Sequence, residues 1–302
     1  MFLILLILSI IARVRDWFKI KLSESKRPLV AGVRMERIQI PSRDPNRFIP
    51  AIKYTPEGTQ GKLPVYLSWQ ASGFVLKRLG LDRNMHSQFA KQLNTVVIDA
   101  AYRKAPEHKF PAAFDDAEDA VAWVLASSDK FDTSKFVVGG SSAGGCLALT
   151  MSARYSPKIK GCFALYPLTV MLRQPREAPN GYFKSGIILT PRIINFLLKT
   201  FMASDAQFDD IRLNPVKESM AKFPENILVA CGDADTLYND SKLFYKKVQA
   251  EGSPAQRTNI EFLTVPNEAH EFNNFPDTPE TDNARVQLYS AAIQKIRAAQ
   301  NA

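Results

Sequence analysis

A Gly-x-Ser-x-Gly pentapeptide, Gly140-Ser141-Ser142-Ala143-Gly144, is the sequence's strongest indication of chemistry. The apolar run at 136–138 is typical of a buried strand, and residues 146–151 read as the start of a helix. A strand, a tight glycine turn and a helix form a nucleophile elbow, which exposes a serine hydroxyl at a helix N-terminus. The pattern predicts Ser142 as a nucleophile, and the alternative is a Gly/Ser-rich loop without a chemical role.

A serine hydroxyl is a poor nucleophile unless a base takes its proton, and this chain has three histidines. His108 precedes the pentapeptide, and His86 lies in a predicted helix between two early strands. His270 follows the last predicted strand. On folds with such an elbow the residues run serine, acid, histidine along the chain, which selects His270 as the expected base.

The acid is expected in the loop after the penultimate predicted strand, within Gly232-Asp233-Ala234-Asp235-Thr236-Leu237 or just beyond it. Asp233, Asp235 and Asp240 compete for this role. Asp240 suits the N-cap of the following helix better. The residue pattern alone leaves the choice among them open.

Strands and helices alternate beyond residue 30, and several strands are short, continuous apolar runs that suit burial on both sheet faces. Helices are predicted around 114–124 and at 82–93, 142–154, 239–251 and 282–298. This alternation predicts a doubly wound α/β sheet. The eight predicted strands are Arg34–Ile40, Arg47–Tyr54, Pro64–Trp69, Thr95–Ala100, Lys135–Gly139, Gly161–Tyr166, Asn226–Cys231 and Ile260–Val265.

Residues 168–220 interrupt the alternation, because they contain no clear strand. Ile187 to Met202 reads as an apolar helix interrupted by Pro191. Helices inserted between two sheet strands are expected to form a cap over a site at the strand ends.

Composition limits the possible classes of protein. A chain of 302 residues with 46% hydrophobic and 23% charged residues forms one large domain or two modest ones. The three cysteines form no CxxC or CxxH pair, so neither a disulfide framework nor a zinc site is indicated. The net charge of +9 comes without a recognisable nucleic-acid-binding module, so we expect no nucleic-acid partner.

Residues 60–275 resemble the hormone-sensitive-lipase-like (arylacetamide-deacetylase-like) branch of the α/β-hydrolases. The resemblance implies an α/β-hydrolase fold, with a mostly parallel eight-stranded sheet, flanking helices and a helical cap. In this branch the aspartate of a D-x-L element is the triad acid, which implies Asp235. Four blocks carry the resemblance: Tyr102-Arg103-Lys104-Ala105-Pro106-Glu107-His108-Lys109-Phe110-Pro111-Ala112-Ala113, Gly140-Ser141-Ser142-Ala143-Gly144-Gly145, Gly232-Asp233-Ala234-Asp235-Thr236-Leu237 and His270-Glu271-Phe272.

The chain departs from this branch at the loop that supplies oxyanion-hole amides. Where the branch has His-Gly-Gly-Gly-Phe, this chain has Gln70-Ala71-Ser72-Gly73-Phe74. Backbone N–H groups remain at the substituted positions, but glycine's freedom at φ is lost there. The resemblance implies an oxyanion hole built from the amides of Ser72, Gly73 and Ala143.

The expected function is hydrolysis of small or medium apolar carboxylic esters, acetyl esters or lactones among them, through an acyl-enzyme on Ser142. Two alternatives stand beside it: a ligand-binding protein that has lost catalysis, and a lyase-type use of the pocket. The block at Tyr102–Glu107 is expected to be structural, with Glu107 satisfying buried backbone amides. The sequence shows neither a phosphate-binding glycine loop nor a metal cluster, so no cofactor or metal is implied. It does not indicate the oligomeric state.

Residues 1–30 are expected to form a separate segment ahead of the hydrolase domain at 31–302. The apolar run 2–12 is too short to span a bilayer, and lysines and arginines follow it rather than precede it. This pattern favours a helix that lies on a membrane surface through residues 1–22, over a cap helix or a cleaved signal.

The following basic residues favour the cytosolic face of an intracellular membrane, most simply the endoplasmic reticulum. A soluble cytoplasmic protein is the alternative location. The resemblance points instead to the lumenal face, because some members of the branch face the lumen from an N-terminal anchor. One glycosylation sequon, Asn239-Asp240-Ser241, offers a test of the orientation.

Overall fold

The computed structural model describes residues 6–14, 17–18, 28–171, 186–187, 189–274 and 279–302. All eight predicted strands are present in one sheet. They are β1 (Val33–Pro41), β2 (Phe48–Pro56), β3 (Leu63–Trp69), β4 (Val96–Ala100), β5 (Phe131–Ser141), β6 (Gly161–Leu165), β7 (Asn226–Gly232) and β8 (Glu261–Val265).

The spatial order of the strands is β1-β2-β4-β3-β5-β6-β7-β8. Strand β2 pairs antiparallel with both β1 and β4, and all other pairs are parallel. The central strands are buried along almost their whole length, which accounts for their unbroken apolar sequences. The predicted eight-stranded, mostly parallel α/β sheet is therefore confirmed.

Helices cover both faces of the sheet. Helices α2 and α8 pack on one face, and α3, α4 and α6 pack on the other. The helices are α1 (residues 6–14), α2 (Arg83–Leu93), α3 (Ala112–Ala126), α4 (Ala143–Tyr155), α5 (Pro191–Phe201), α6 (Tyr238–Glu251), α7 (Pro254–Asn259) and α8 (Pro279–Gln300). The short helix α7 was not predicted; a capping box on Ser253 and Gln256 begins it.

Between β6 and β7 the described residues contain α5 and four 3₁₀ turns, within the segment predicted as a cap. Residues 172–185 and 188 of that segment lie outside the described residues. Pro191 does not interrupt a helix, as the sequence suggested, but begins one. Its missing N–H costs nothing at this position, and the Thr190 side chain accepts a hydrogen bond from the amide of Ile193.

Arg13 joins helix α1 to the body of the protein. The Arg13 guanidinium donates to the carbonyl oxygens of Val75 and Ala105 and forms an ion pair with Glu107. Glu107 therefore binds the Arg13 side chain, in addition to a hydrogen bond from its own backbone amide. Among the described residues, no helix is long and apolar enough to cross a bilayer.

Candidate active site

Ser142 occupies a strained turn between β5 and α4. Its φ of 56° and ψ of −116° are unusual for a residue with a side chain. Close packing requires the flanking glycines. A Cβ atom on Gly140 would lie 2.3 Å from the carbonyl oxygen of Gly144, and a Cβ atom on Gly144 would lie 2.0 Å from the carbonyl oxygen of Trp69. The Gly-x-Ser-x-Gly spacing thus permits a turn that other residues would block.

His270 lies in the loop after β8 and contacts both other predicted triad residues. Its Nε2 lies 3.0 Å from the Ser142 Oγ, and its Nδ1 lies 2.8 Å from Asp235 Oδ2. All three side chains are buried. An ionised carboxylate only accepts, so Nδ1 carries the proton that it donates to Asp235, and Nε2 is left to accept the proton of the serine.

The other two acid candidates have different surroundings. Asp233 accepts a hydrogen bond from the backbone amide of Asn267 with Oδ1, which fixes the turn ahead of His270. Asp240 is not the N-cap of helix α6 as predicted, because the helix already begins at Tyr238. Asp235 also accepts from the amide of Leu237 through Oδ1, so both of its carboxylate oxygens are hydrogen-bonded.

The electrostatics of His270 favour a protonated imidazole. Burial by itself lowers the pKa of His270, but the negative charge of Asp235 and the hydrogen bond to it outweigh burial and raise the pKa above its ordinary value of 6.5. An imidazole that gains a proton readily is a stronger base towards the serine hydroxyl.

Several neighbours of His270 were not identified from the sequence. Tyr166, at the end of β6, places its ring 4.5 Å from the imidazole, and its hydroxyl donates to Asn273. Glu271 forms a buried ion pair with Arg78, about 190 residues away in the chain. Long-range pairs of this kind have no local sequence pattern, although Glu271 belongs to one of the four blocks that carry the resemblance.

The loop 70–74 follows β3, the strand beside β5, and so lies next to the elbow. Positive φ in this loop falls on Gly73 (55°) and Phe74 (61°), not on Ala71 or Ser72. The substituted positions therefore do not need glycine's conformational freedom. Ser72 instead uses its hydroxyl, which accepts from the amide of Phe74 and lies 2.7 Å from the Tyr102 hydroxyl.

Comparison with known proteins gives the family. A family profile described as the alpha/beta hydrolase fold matches residues 68–274. This chain belongs to the α/β-hydrolase family. The match, together with the esterases among its relatives, confirms the resemblance to the hormone-sensitive-lipase-like branch.

Two relatives come from Mycobacterium tuberculosis. The carboxylic ester hydrolase LipN is 30% identical over 72% of this chain, and the esterase LipI is 35% identical over 68%. The alignments cover 60% and 65% of those proteins, which is less than two thirds of each.

An esterase from Pyrobaculum calidifontis has the same fold, with a TM-score of 0.81 and 25% identity over 95% of this chain and 92% of its own. The thermostable carboxylesterase EstE1, from a metagenomic library, has a TM-score of 0.83 and is 23% identical over 96% of this chain and 97% of its own.

In this α/β-hydrolase the segment before β7 contacts the site at several points. Ile187 forms an isolated bridge with His270, and its amide donates to the His270 carbonyl oxygen over 2.6 Å. The Thr236 hydroxyl donates to the carbonyl oxygen of Leu189. On the other side, the rings of Phe74 and Phe201 stack 4.1 Å apart. The loops that carry the candidate site residues therefore contact residues 187, 189 and 201 of this segment.

Proposed function

We propose that this chain is a serine carboxylic-ester hydrolase that acts through Ser142, His270 and Asp235. The observation that supports the proposal is the continuous hydrogen-bonded series from Asp235 through both ring nitrogens of His270 to the Ser142 hydroxyl. Esterase names among its relatives support the same reaction class.

In the proposed reaction His270 Nε2 takes the proton of Ser142 as its Oγ attacks the ester carbonyl carbon. Asp235 holds the imidazole by Nδ1 and stabilises the imidazolium. The tetrahedral intermediate collapses to an acyl-enzyme when His270 protonates the departing alcohol. Water, activated by His270, then releases the carboxylic acid.

The oxyanion formed in these steps is assigned to the amides of Ser72, Gly73 and Ala143. Within the described part of the chain, none of these three amides donates to a protein acceptor through a loop hydrogen bond. Ala143 is the first residue of α4, so its N–H is one of the donors that a helix N-terminus leaves free. Small or medium apolar esters, including acetyl esters and lactones, are the proposed substrates.

Labelling by a serine-reactive organophosphate tests this proposal. We expect one equivalent of a fluorophosphonate to attach to the full chain, and none to attach after Ser142→Ala. Ser141→Ala, at the neighbouring buried serine, is the matched control and should still be labelled. An unlabelled wild-type chain would favour the alternative of a ligand-binding protein that shares the fold.

We further propose that α1 lies on a membrane surface. Its orientation is the reverse of an ordinary surface helix: Ser9 is buried and the Arg13 side chain is only 10% exposed. The apolar side chains face outward, at 45–63% exposure, for Ile7, Leu8, Ile10, Ile11, Val14, Trp17 and Phe18. An apolar face of this kind suits the boundary between lipid headgroups and acyl chains.

Vesicles containing anionic lipid provide the test. The full chain should co-sediment with them and its Trp17 fluorescence should shift to the blue, whereas Ile11→Asp combined with Val14→Asp should stay in the supernatant. Lys158→Asp, on an exposed turn away from α1, is the charge control. Equal sedimentation of the α1 variant and the wild type would contradict the proposal.

The cytosolic face of the endoplasmic reticulum is the proposed location, because the basic residues follow the apolar run. Asn239 of the sequon is exposed on α6, so a lumenal protein would offer it for glycosylation. We expect Asn239 to be unmodified in cells. A mass shift that Asn239→Gln removes would place the protein in the lumen. Equal solubility of the full chain and a chain without residues 1–25 would favour the cytoplasmic alternative.

A further inference from the structure

A cavity of about 590 Å³ lies beside the active site, at the carboxyl ends of β3 and β4. None of the three triad residues lines it. Its apolar wall includes Trp17, Phe48 and Leu79, and its basic residues include Arg37, Lys77 and Lys104. Lys104 is the deepest of these cations, with only 6% of its surface exposed.

Lys104 is a buried amine that has no direct carboxylate contact in the described part of the chain, although the more distant charges of Asp99 and Asp116 act on it. Among the described residues its Nζ has no hydrogen-bond or ion-pair partner, and it lies 2.8 Å from the centre of the Tyr102 ring. Burying an amine without a partner is costly, and the burial lowers the pKa of Lys104 well below its ordinary value. Lys104 therefore lacks the direct hydrogen-bonded carboxylate that usually accompanies a buried amine.

A second unpartnered polar group lines the same cavity. Gln70 Oε1 is buried and, within the described ranges, accepts no hydrogen bond. Because the oxygen and nitrogen of an amide exchange places on a 180° rotation, the Gln70 side chain can offer either a donor or an acceptor here. The cavity thus contains one amine and one amide whose polar atoms are not used by the protein.

The acidic residues around the cavity are already paired. Asp116 binds both Arg47 and Arg103, and Glu107 binds Arg13. The Arg78 guanidinium pairs with Glu271. Because these guanidinium groups already bind carboxylates, they are not free to act as the bidentate forks that suit phosphate. Lys104, with exposed Arg37 and Lys77 nearer the solvent, provides the remaining positive charge.

We propose that this cavity binds an amphipathic carboxylate, independently of the triad. The carboxylate would contact Lys104 Nζ and the Gln70 amide, and an apolar tail would lie against Trp17, Phe48 and Leu79. An apolar wall with a few convergent polar groups is the usual composition of a small-molecule site. The bound anion would supply the direct hydrogen-bonded counterion that the buried amine otherwise lacks.

The test uses octanoate as the probe and the full chain carrying Ser142→Ala, so that binding is measured without turnover. Calorimetry should detect octanoate binding, and Lys104→Met should weaken it at least ten-fold. Lys158→Met, on the exposed turn between α4 and the amino end of β6, is the matched control and should leave the affinity unchanged. Octanamide, which has the same tail without the charge, should bind at least ten-fold more weakly than octanoate.

Three outcomes would overturn the proposal: no octanoate binding, unchanged affinity after Lys104→Met, or equal binding of octanamide. Unchanged affinity after Lys104→Met would mean that octanoate occupies the catalytic pocket instead. Competition of octanoate by inorganic phosphate at equal concentration would identify a phosphate site. Thermal unfolding checks that the variant folds: Lys104→Met should unfold at the same or a higher temperature than its parent, because an unpartnered buried amine is removed.

Discussion

Two buried serine–histidine–aspartate sets occur among the residues that the structure describes, and one of the two has the geometry of a triad. In the first, His270 lies 2.8 Å from Asp235 and 3.0 Å from Ser142. In the second, His86 on α2 lies 3.2 Å from the hydroxyl of Ser68 on β3, and its Nδ1 lies 3.8 Å from Asp99 on β4. The same three residue types therefore have different surroundings.

The difference lies in the supporting contacts. The His86 Nδ1 has no hydrogen-bond partner in the described part of the chain, and burial lowers the pKa of His86 to about 3. The pKa of Asp99 is raised to about 8, mainly by burial and secondarily by the negative charge of Asp82. In the triad the hydrogen-bonded Asp235 reverses the effect of burial on His270.

Chain position explains the contrast. Ser68 and Asp99 lie inside strands, where their side chains are held by the sheet, whereas Ser142, Asp235 and His270 lie on loops at the carboxyl ends of β5, β7 and β8. Loops let the side chains turn towards one another. The composition of a cluster is thus a weaker guide to chemistry than its hydrogen bonding.

The largest expected effect separates the two serines. Ser142→Ala should lower kcat on p-nitrophenyl acetate by about 10⁶-fold, as loss of the nucleophile does in a serine protease. Ser68→Ala should retain kcat within about two-fold, because Ser68 lies within β3 and its hydroxyl contacts the buried side chains of His86 and Tyr66. If the two variants lose activity equally, the nucleophile has been assigned wrongly.

The next effect concerns the acids. Asp235→Asn should lower kcat about 10⁴-fold, because an amide at this position favours the wrong histidine tautomer. Asp233→Asn, which removes the charge but keeps an oxygen that can accept from the Asn267 amide, is the control in the same loop and should stay within about ten-fold of the wild type. Steady-state rates with one ester compare the two directly.

The pH profile compares the two histidines. His270 must be neutral to act as a base, so kcat/KM should fall about ten-fold per pH unit below its pKa, with the inflection above 6.5. His86→Gln should leave this inflection in place, because a pKa of about 3 keeps His86 neutral throughout the range. An inflection that moves with His86 would contradict the assignment.

The smallest expected effect is on stability and involves Asp99. Folded Asp99 retains its proton up to about pH 8, whereas in the unfolded chain it releases the proton near 3.8. The folded state binds more protons in between, so the free energy of unfolding decreases as pH rises towards 8. His86 has the opposite effect on the free energy of unfolding, but only below pH 6.5, which is the ordinary pKa of a histidine.

Between pH 6.5 and about 8, therefore, Asp99 and not His86 makes the free energy of unfolding depend on pH. Urea unfolding across this window should show a smaller pH dependence for Asp99→Asn than for the wild type. Parallel pH dependences for the two proteins would mean that Asp99 ionises normally.

The sequence predicted the sheet well because strands buried on both faces require continuous apolar runs such as Ile227–Ala230. The sequence also identified Ser142 as the candidate nucleophile. The glycines around it can be recognised in a sequence because close backbone contacts require them in this turn. Pro191 was misjudged because proline both ends and begins helices, and only Thr190 beside it distinguishes the two.

The contacts between distant segments could not be predicted. Arg13 with Glu107, Arg78 with Glu271, and the cavity around Lys104 each join residues that the folded sheet brings together. Lys104 itself was visible within the Tyr102–Glu107 block, but its burial depends on packing that a single sequence does not reveal.

The bridge between Ile187 and His270 has a consequence for engineering. A cap is usually treated as an exchangeable module that sets substrate preference, and grafting one from a relative is a common strategy. Here the grafted segment would also have to reproduce the backbone hydrogen bond from Ile187 to the His270 carbonyl oxygen. It would need a glycine at position 186 as well, because a Cβ atom there would lie 2.5 Å from the same oxygen. A chimera joined before Gly186 would change both the pocket and the backbone contacts of His270, the proposed general base. A junction placed after Leu189 keeps the contacts of Gly186 and Ile187 with His270, but the grafted segment must still replace the stack of Phe201 on Phe74.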